Sequence, residues 1–167
     1  MLTQERLKQL LVYDPDTGVW RWLIAPNHSI KVGQIAGSIR QDGYRQIRVD
    51  CLYYFSVPLA CFYMTGKWPL EYMDHINWDR GDDRWVNLRE ATACDNMAHR
   101  RIRSNNTSGY LGVSWDNTQN KWDARVNSVH IGWFDDLDEA VAARDTWAVH
   151  LQGSFAVLNT PTMEITP

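Results

Sequence analysis

Several things this 167-residue chain lacks narrow its class before any motif is read. Its three cysteines, Cys51, Cys61 and Cys94, form no C-x-x-C pair. A zinc ribbon is thereby excluded, and unpatterned thiols suit a reducing compartment. The mostly apolar run Tyr53 to Met64 is twelve residues, a buried core segment rather than a bilayer span. No secretory leader is visible. An intracellular protein without a membrane is expected. Excess positive charge is also missing: 17 basic against 20 acidic side chains leave a net charge of −3. Phosphate neutralisation supplies much of non-specific affinity for nucleic acid, so this balance argues against tight, indiscriminate binding to a polyanion.

The charge is unevenly placed. Residues 1–93 carry 11 basic and 11 acidic groups, residues 94–125 carry 5 and 3, and residues 126–167 carry 1 and 6. The middle stretch is thus the basic one, and the acid is concentrated at the C-terminal end. Length and pattern suit two small α+β domains. They are expected at 1–99 and 110–160, joined by a basic linker, 100–109, that contains Arg100, Arg101 and Arg103.

The most informative stretch is Glu71 to Asn96, EYMDHINWDRGDDRWVNLREATACDN. Tyr72–Ile76 reads as a short strand, 77–83 as a polar reversing loop, and Trp85–Arg89 as a returning strand. Thr92 is a plausible N-cap for a helix running to about Arg101. Asp74 and Asn96 offer hard oxygen ligands to a divalent cation, and neutral His75 can take a proton from water. A base beside a hard metal ion suits phosphodiester hydrolysis. Neighbouring strand residues face opposite ways, so Asp74 and His75 can share a site only where the strand ends or bulges.

The strings D-H-I-N-x-D-R and N-L-R-E-A-T, followed by the helical Asn96, resemble the Asn-ended subset of the HNH homing endonucleases found in phages and introns. The resemblance implies a ββα-metal nuclease motif behind an N-terminal sheet region. In it His75 is the general base, Asp74 and Asn96 hold one Mg²⁺ or Mn²⁺, and Asn87 braces the loop and orients the histidine. Trp78 stands where the family usually has Gly, and Asp83 where it often has Asn. Val57 and Pro58 replace an upstream His-Arg pair that contacts phosphate in many relatives.

Beyond Gly109 the pattern changes. Tyr110–Trp115, Lys121–Asn127 and Val129–Phe134 read as three strands, followed by a helix from Asp136 to Gly153 with Asp136 and Glu139 as its start signal. Gly112-Val113 with Trp115, Lys121-Trp122-x-Ala124, Gly132-x-Phe134-Asp135 and Ala156-x-Leu158-Asn159 resemble the AP2 DNA-binding domain. That resemblance implies a three-stranded antiparallel sheet packed on one helix, with its open face in the major groove of double-stranded DNA. Ser114, Trp115, Lys121, Trp122 and Arg125 are the matching contact candidates, with Arg100, Arg101 and Arg103 along the duplex. Asp123 stands where relatives often have Arg.

In the N-terminal third, a short helix capped by Thr3 and a hairpin about Gln41-Asp42-Gly43 are expected. The whole chain then reads as a site-specific DNA endonuclease of the homing type. It is expected to act as a monomer, nicking one strand, in the cytoplasm of a bacterial host and encoded by a phage or mobile element. The alternative is an AP2-type DNA-binding regulator with weak or no catalysis, and a third option is a non-specific or RNA-directed nuclease.

Overall fold

The computed structural model describes residues 2–99, 102 and 104–160, and the chain divides into two compact units, Met1–Thr92 and Ala93–Pro167. The first opens with α1 (Gln4–Leu10), started by Thr3, whose hydroxyl accepts the Arg6 N–H at 3.2 Å. Leu7 and Leu10 are its buried positions. The chain enters β1 (Leu11–Asp14), which pairs antiparallel with β2 (Val19–Trp22) from Leu11 opposite Trp22 to Asp14 opposite Val19. A second sheet has the order β3 (Ser38–Ile39), β4 (Arg45–Val49), β5 (Leu52–Phe55). The β3–β4 connection is the Asp-Gly turn the sequence predicts.

The apolar run after Tyr53 is not one element. It finishes β5 and becomes α2 (Ser56–Thr65), with Pro58 in the first turn, where a missing N–H costs nothing, and Gly66 at φ +76° closing the helix. Apolar periodicity cannot separate strand from helix in so short a buried run. Trp20 is fully buried at the centre of the core, among Leu7, Leu11, Ile47 and Leu59. Its indole N–H donates to Ser56 Oγ at 3.0 Å, which satisfies the one polar atom of that ring.

The unit ends in a two-stranded ladder, β6 (Tyr72–His75) against β7 (Leu88–Ala91). The returning strand begins later than the sequence suggests, because Trp85–Asn87 is a 3-10 turn. Trp85 N–H donates to Pro15 O at 2.8 Å and Asn87 N–H to Arg84 O at 2.9 Å, so neither is free to join a ladder. The preceding residues pack directly on the β1–β2 turn. Gly18 there has φ +71°, and a Cβ on it would overlap the Asp83 carbonyl carbon and stand 2.6 Å from Arg84 N. Gly18→Ala should therefore lower stability by at least about 2 kcal/mol, from backbone strain and overlap together. Thermal melting checks this, and an unchanged Tm would refute it.

The second unit begins with α3 (Ala93–Ala98), which packs against the 3-10 turn Gly153–Phe155 of the same unit. Three antiparallel strands follow in the order β10 (Val129–Phe134), β9 (Lys121–Val126), β8 (Val113–Asp116). Helix α4 (Leu137–Gln152) is capped by Asp136, whose side chain accepts the N–H groups of Asp138 and Glu139. Ala140 and Val141 of α4 pack on Val113 and Ala124, with Trp122, Phe134 and Leu137 around them.

Behind α4 lies a buried polar lock. Arg144 donates through Nη1 to Asp145 at 2.9 Å and to Val157 O. Asp145 also accepts from the Asn159 and Thr160 backbones and side chains at 2.8–3.1 Å. Asn159 in turn accepts the Leu111 N–H at 2.7 Å and donates to Leu111 O at 3.0 Å. Among the described residues, no helix is long and apolar enough to cross a membrane.

Candidate active site

β6 ends at His75, the condition under which it and Asp74 can serve one site. Asp74 lies opposite Arg89 in the ladder and His75 opposite Leu88. The two side chains have different surroundings. His75 is 5% exposed, and its Nε2 lies 3.1 Å from Oδ1 of Asp83, itself 2% exposed. Asp83 Oδ2 has no hydrogen-bond partner among the described residues. The Asp83 backbone is fixed from two sides, by the Gly18 contact and by Tyr13, whose hydroxyl donates to Asp83 O at 2.6 Å. Burial, then the carboxylates of Asp83, Asp14 and Asp82, push the Tyr13 phenol well above its ordinary range, so it stays a donor.

Asn87 holds the loop between the strands. Its Oδ1 accepts the Asn77 N–H at 3.0 Å, and its Nδ2 donates to Asn77 Oδ1 at 2.9 Å and to Asp82 O at 2.8 Å. It makes no bond to His75. The group on the imidazole is Asp83, which sequence reasoning registered only as a departure from the family pattern. The signal was there: a carboxylate eight residues after the histidine, in place of a carboxamide. Asp82 is held by Arg84 Nε and Nη2 at 2.7 and 2.6 Å. That guanidinium, helped by Asn77, draws its carboxyl down to about 2. Trp78 has φ +60°, a left-handed conformation in which Gly is unstrained and a large side chain is not. The loop needs that conformation whatever residue supplies it.

Asp74 is mostly buried and meets Arg89, whose Nε and Nη2 lie 3.0 and 2.9 Å from Asp74 Oδ2. The guanidinium stands as the positive partner of a carboxylate at which a divalent cation is expected. A hard oxygen donor carrying charge that calls for a cation fits Mg²⁺ or Mn²⁺. Among the described residues, no three His, Cys, Asp or Glu side chains gather into a metal-holding cluster, and an Asp–Asn pair falls below that count. Asn96 lies on α3 of the second unit, half-buried.

Beside His75 opens a cavity of about 260 Å³, walled by Tyr44, Phe55, Val57, Pro58 and Tyr72 among others. The Tyr44 ring centre is 6.0 Å from that of His75, and the Arg80 guanidinium lies over the Tyr44 ring, 5.0 Å from its centre. Val57 and Pro58, in place of a His-Arg pair, make this wall apolar.

On the second unit, strand alternation sorts the proposed DNA contacts. Ser114, Lys121 and Arg125 share the sheet face away from α4. Trp115 and Trp122 are cross-strand partners on the other face, ring centres 5.2 Å apart, and Trp122 packs into the helix-covered core. Lys121 and Trp122 are adjacent in one strand and cannot both face one ligand, so Trp115 and Trp122 leave the open-face set. His130 and Trp133 join it instead. The register shifts between His130 and Gly132, and this bulge puts residues three apart on the same face, which period-two reading misses. Arg100, Arg101 and Arg103 lie outside the described residues.

Comparison with known protein families matches residues 58–98 to the HNH endonuclease family. The matched stretch contains Asp74, His75, Asp83, Asn87, Arg89 and Asn96, so the chain carries an HNH endonuclease domain there. That family implies nuclease activity, a DNA substrate and, in general, a divalent metal ion. Searches of curated proteins and of solved structures return no match.

Proposed function

We propose that this protein is a site-specific, metal-dependent DNA endonuclease of the homing type, in which the HNH-matched segment supplies the reacting groups and the β8–β10 sheet reads the duplex. The observation that carries the reading is His75 at the end of β6, next to Asp74, inside the HNH-matched segment and held by a buried carboxylate. With Nε2 directed at Asp83, the ring nitrogen left to take a proton from water is Nδ1. Asp83 keeps the imidazole in one tautomer and orientation. Asn87 keeps the 77–82 loop, and with it the end of β6, in place.

Asp74 and Asn96 are the proposed ligands, and Asp74 must exchange Arg89 for the ion. A bound Mg²⁺ or Mn²⁺ supplies Lewis-acid stabilisation of the charge that builds on the phosphate and the departing oxygen. One such set per chain cuts one strand per binding event, so a monomer nicks. Asp136, Asp138 and Glu139 sit at the start of α4, on the far side of the sheet from the proposed DNA face. This reconciles a net charge of −3 with a polyanionic partner.

Supercoiled plasmid libraries carrying candidate sites, incubated with Mg²⁺ or Mn²⁺, test the reading. Nicked circles that persist in the presence of excess unrelated DNA are expected. Retarded DNA with no nicked product would favour the regulator. Cutting suppressed by unrelated competitor would favour a non-specific nuclease.

A further inference from the structure

The open face of the β8–β10 sheet carries one side chain built differently from its neighbours. Arg125, on the central strand, is about half exposed, and its Nε donates to Asp123 Oδ2 at 2.6 Å. Asp123 is itself 7% exposed and lies on the same face two residues earlier. Its other oxygen stands 3.1 Å from His130 Nε2, in ion-pair range but without hydrogen-bond alignment. His130 rests against Trp133, ring centres 4.2 Å apart. The Arg125 backbone is anchored as well, its N–H donating to Gly112 O at 2.7 Å.

An arginine gripped through Nε keeps its two terminal Nη groups for something else. Among the described residues neither has a partner. The fork is therefore rigid, outward-facing and unsatisfied. It is also electrically balanced, because the carboxylate of Asp123 cancels the guanidinium charge. A balanced pair exerts little pull on a phosphate, whose attraction is mainly electrostatic. It keeps full hydrogen-bonding geometry toward a base edge. Two parallel donors match the O6 and N7 acceptors of guanine in the major groove. Adenine presents one acceptor beside a donor, and cytosine presents a donor.

Resting on the proposal that this sheet face reads duplex DNA, we propose that Arg125 is a specificity-determining residue that selects a guanine, with Asp123 as its positioning residue. An aspartate at position 123 thus trades a phosphate-seeking charge for a held donor pair.

The test is selection from a random duplex pool by the full-length protein in EDTA, where cleavage is prevented, followed by sequencing and binding to the selected site. The wild type should enrich a site with one guanine whose replacement weakens binding tenfold or more. Arg125→Lys keeps the charge and loses the fork. It should lose discrimination at that guanine while its binding to unrelated DNA stays within about twofold. Asp123→Ala frees the guanidinium and should reduce the same discrimination while raising affinity for unrelated DNA, a change that structural damage would not produce. Discrimination retained by Arg125→Lys would make Arg125 a phosphate contact and overturn the inference. No enrichment by the wild type would instead overturn the DNA-reading role of the sheet.

Discussion

His75→Ala will lose plasmid nicking by a factor of about 10²–10⁴, the usual contribution of a positioned general base, while gel-shift affinity in EDTA stays near that of the wild type. The separation of the two readouts follows from placement. His75 is buried at the end of β6, bonded to Asp83, and is remote in sequence from every strand of the sheet proposed to hold the duplex. Removing the imidazole also takes from the Asp83 carboxylate the hydrogen-bond partner it has among the described residues, so the variant must be shown to be folded, and a near-native Tm is the control. Cutting at the wild-type rate by a folded His75→Ala protein would remove this residue from the reaction. Equal loss of cutting and binding would make it a structural residue.

Asp145→Ala should be the most destabilising single change in the second unit, by about 3–5 kcal/mol, the range for breaking a buried ion pair from one side. Arg144 is 2% exposed and would keep its charge with no carboxylate beside it. The backbone N–H groups of Asn159 and Thr160 would lose their acceptor at the same time. Such a loss is a large fraction of the stability of a small domain. Hydrogen exchange resolves its location: amides of β8, β9 and β10 should lose protection while those around Trp20 in the first unit keep theirs. Protection unchanged throughout would show that the lock contributes little.

Elements whose signals are local were legible in the sequence. The Thr3 cap, the Asp-Gly turn before β4, the Asp136 cap of α4 and the strand Val129–Phe134 all lie where their residues placed them. The Asp74-His75 pair and Asn87 stood out because of residue type and spacing. What was not legible depends on partners distant in the chain. The 3-10 turn at Trp85–Asn87 exists because Pro15, seventy residues earlier, takes the Trp85 N–H. Asp83 became a neighbour of His75 only when a glycine-bearing turn made room for its backbone. His130 and Trp133 share a face through a bulge that no alternation predicts. The Arg89–Asp74 pair follows from ladder register, which the expected start of the returning strand at Trp85 did not supply.

Asn159 brackets Leu111 with two hydrogen bonds, and this pins the entrance and exit of the sheet-and-helix segment side by side. A piece of protein whose two ends leave from one point can be grafted into a surface loop of an unrelated host without stretching either connection. The sheet-and-helix segment between Leu111 and Asn159 thus has both of its connections at one point, and the same asparagine that completes the fold holds them there.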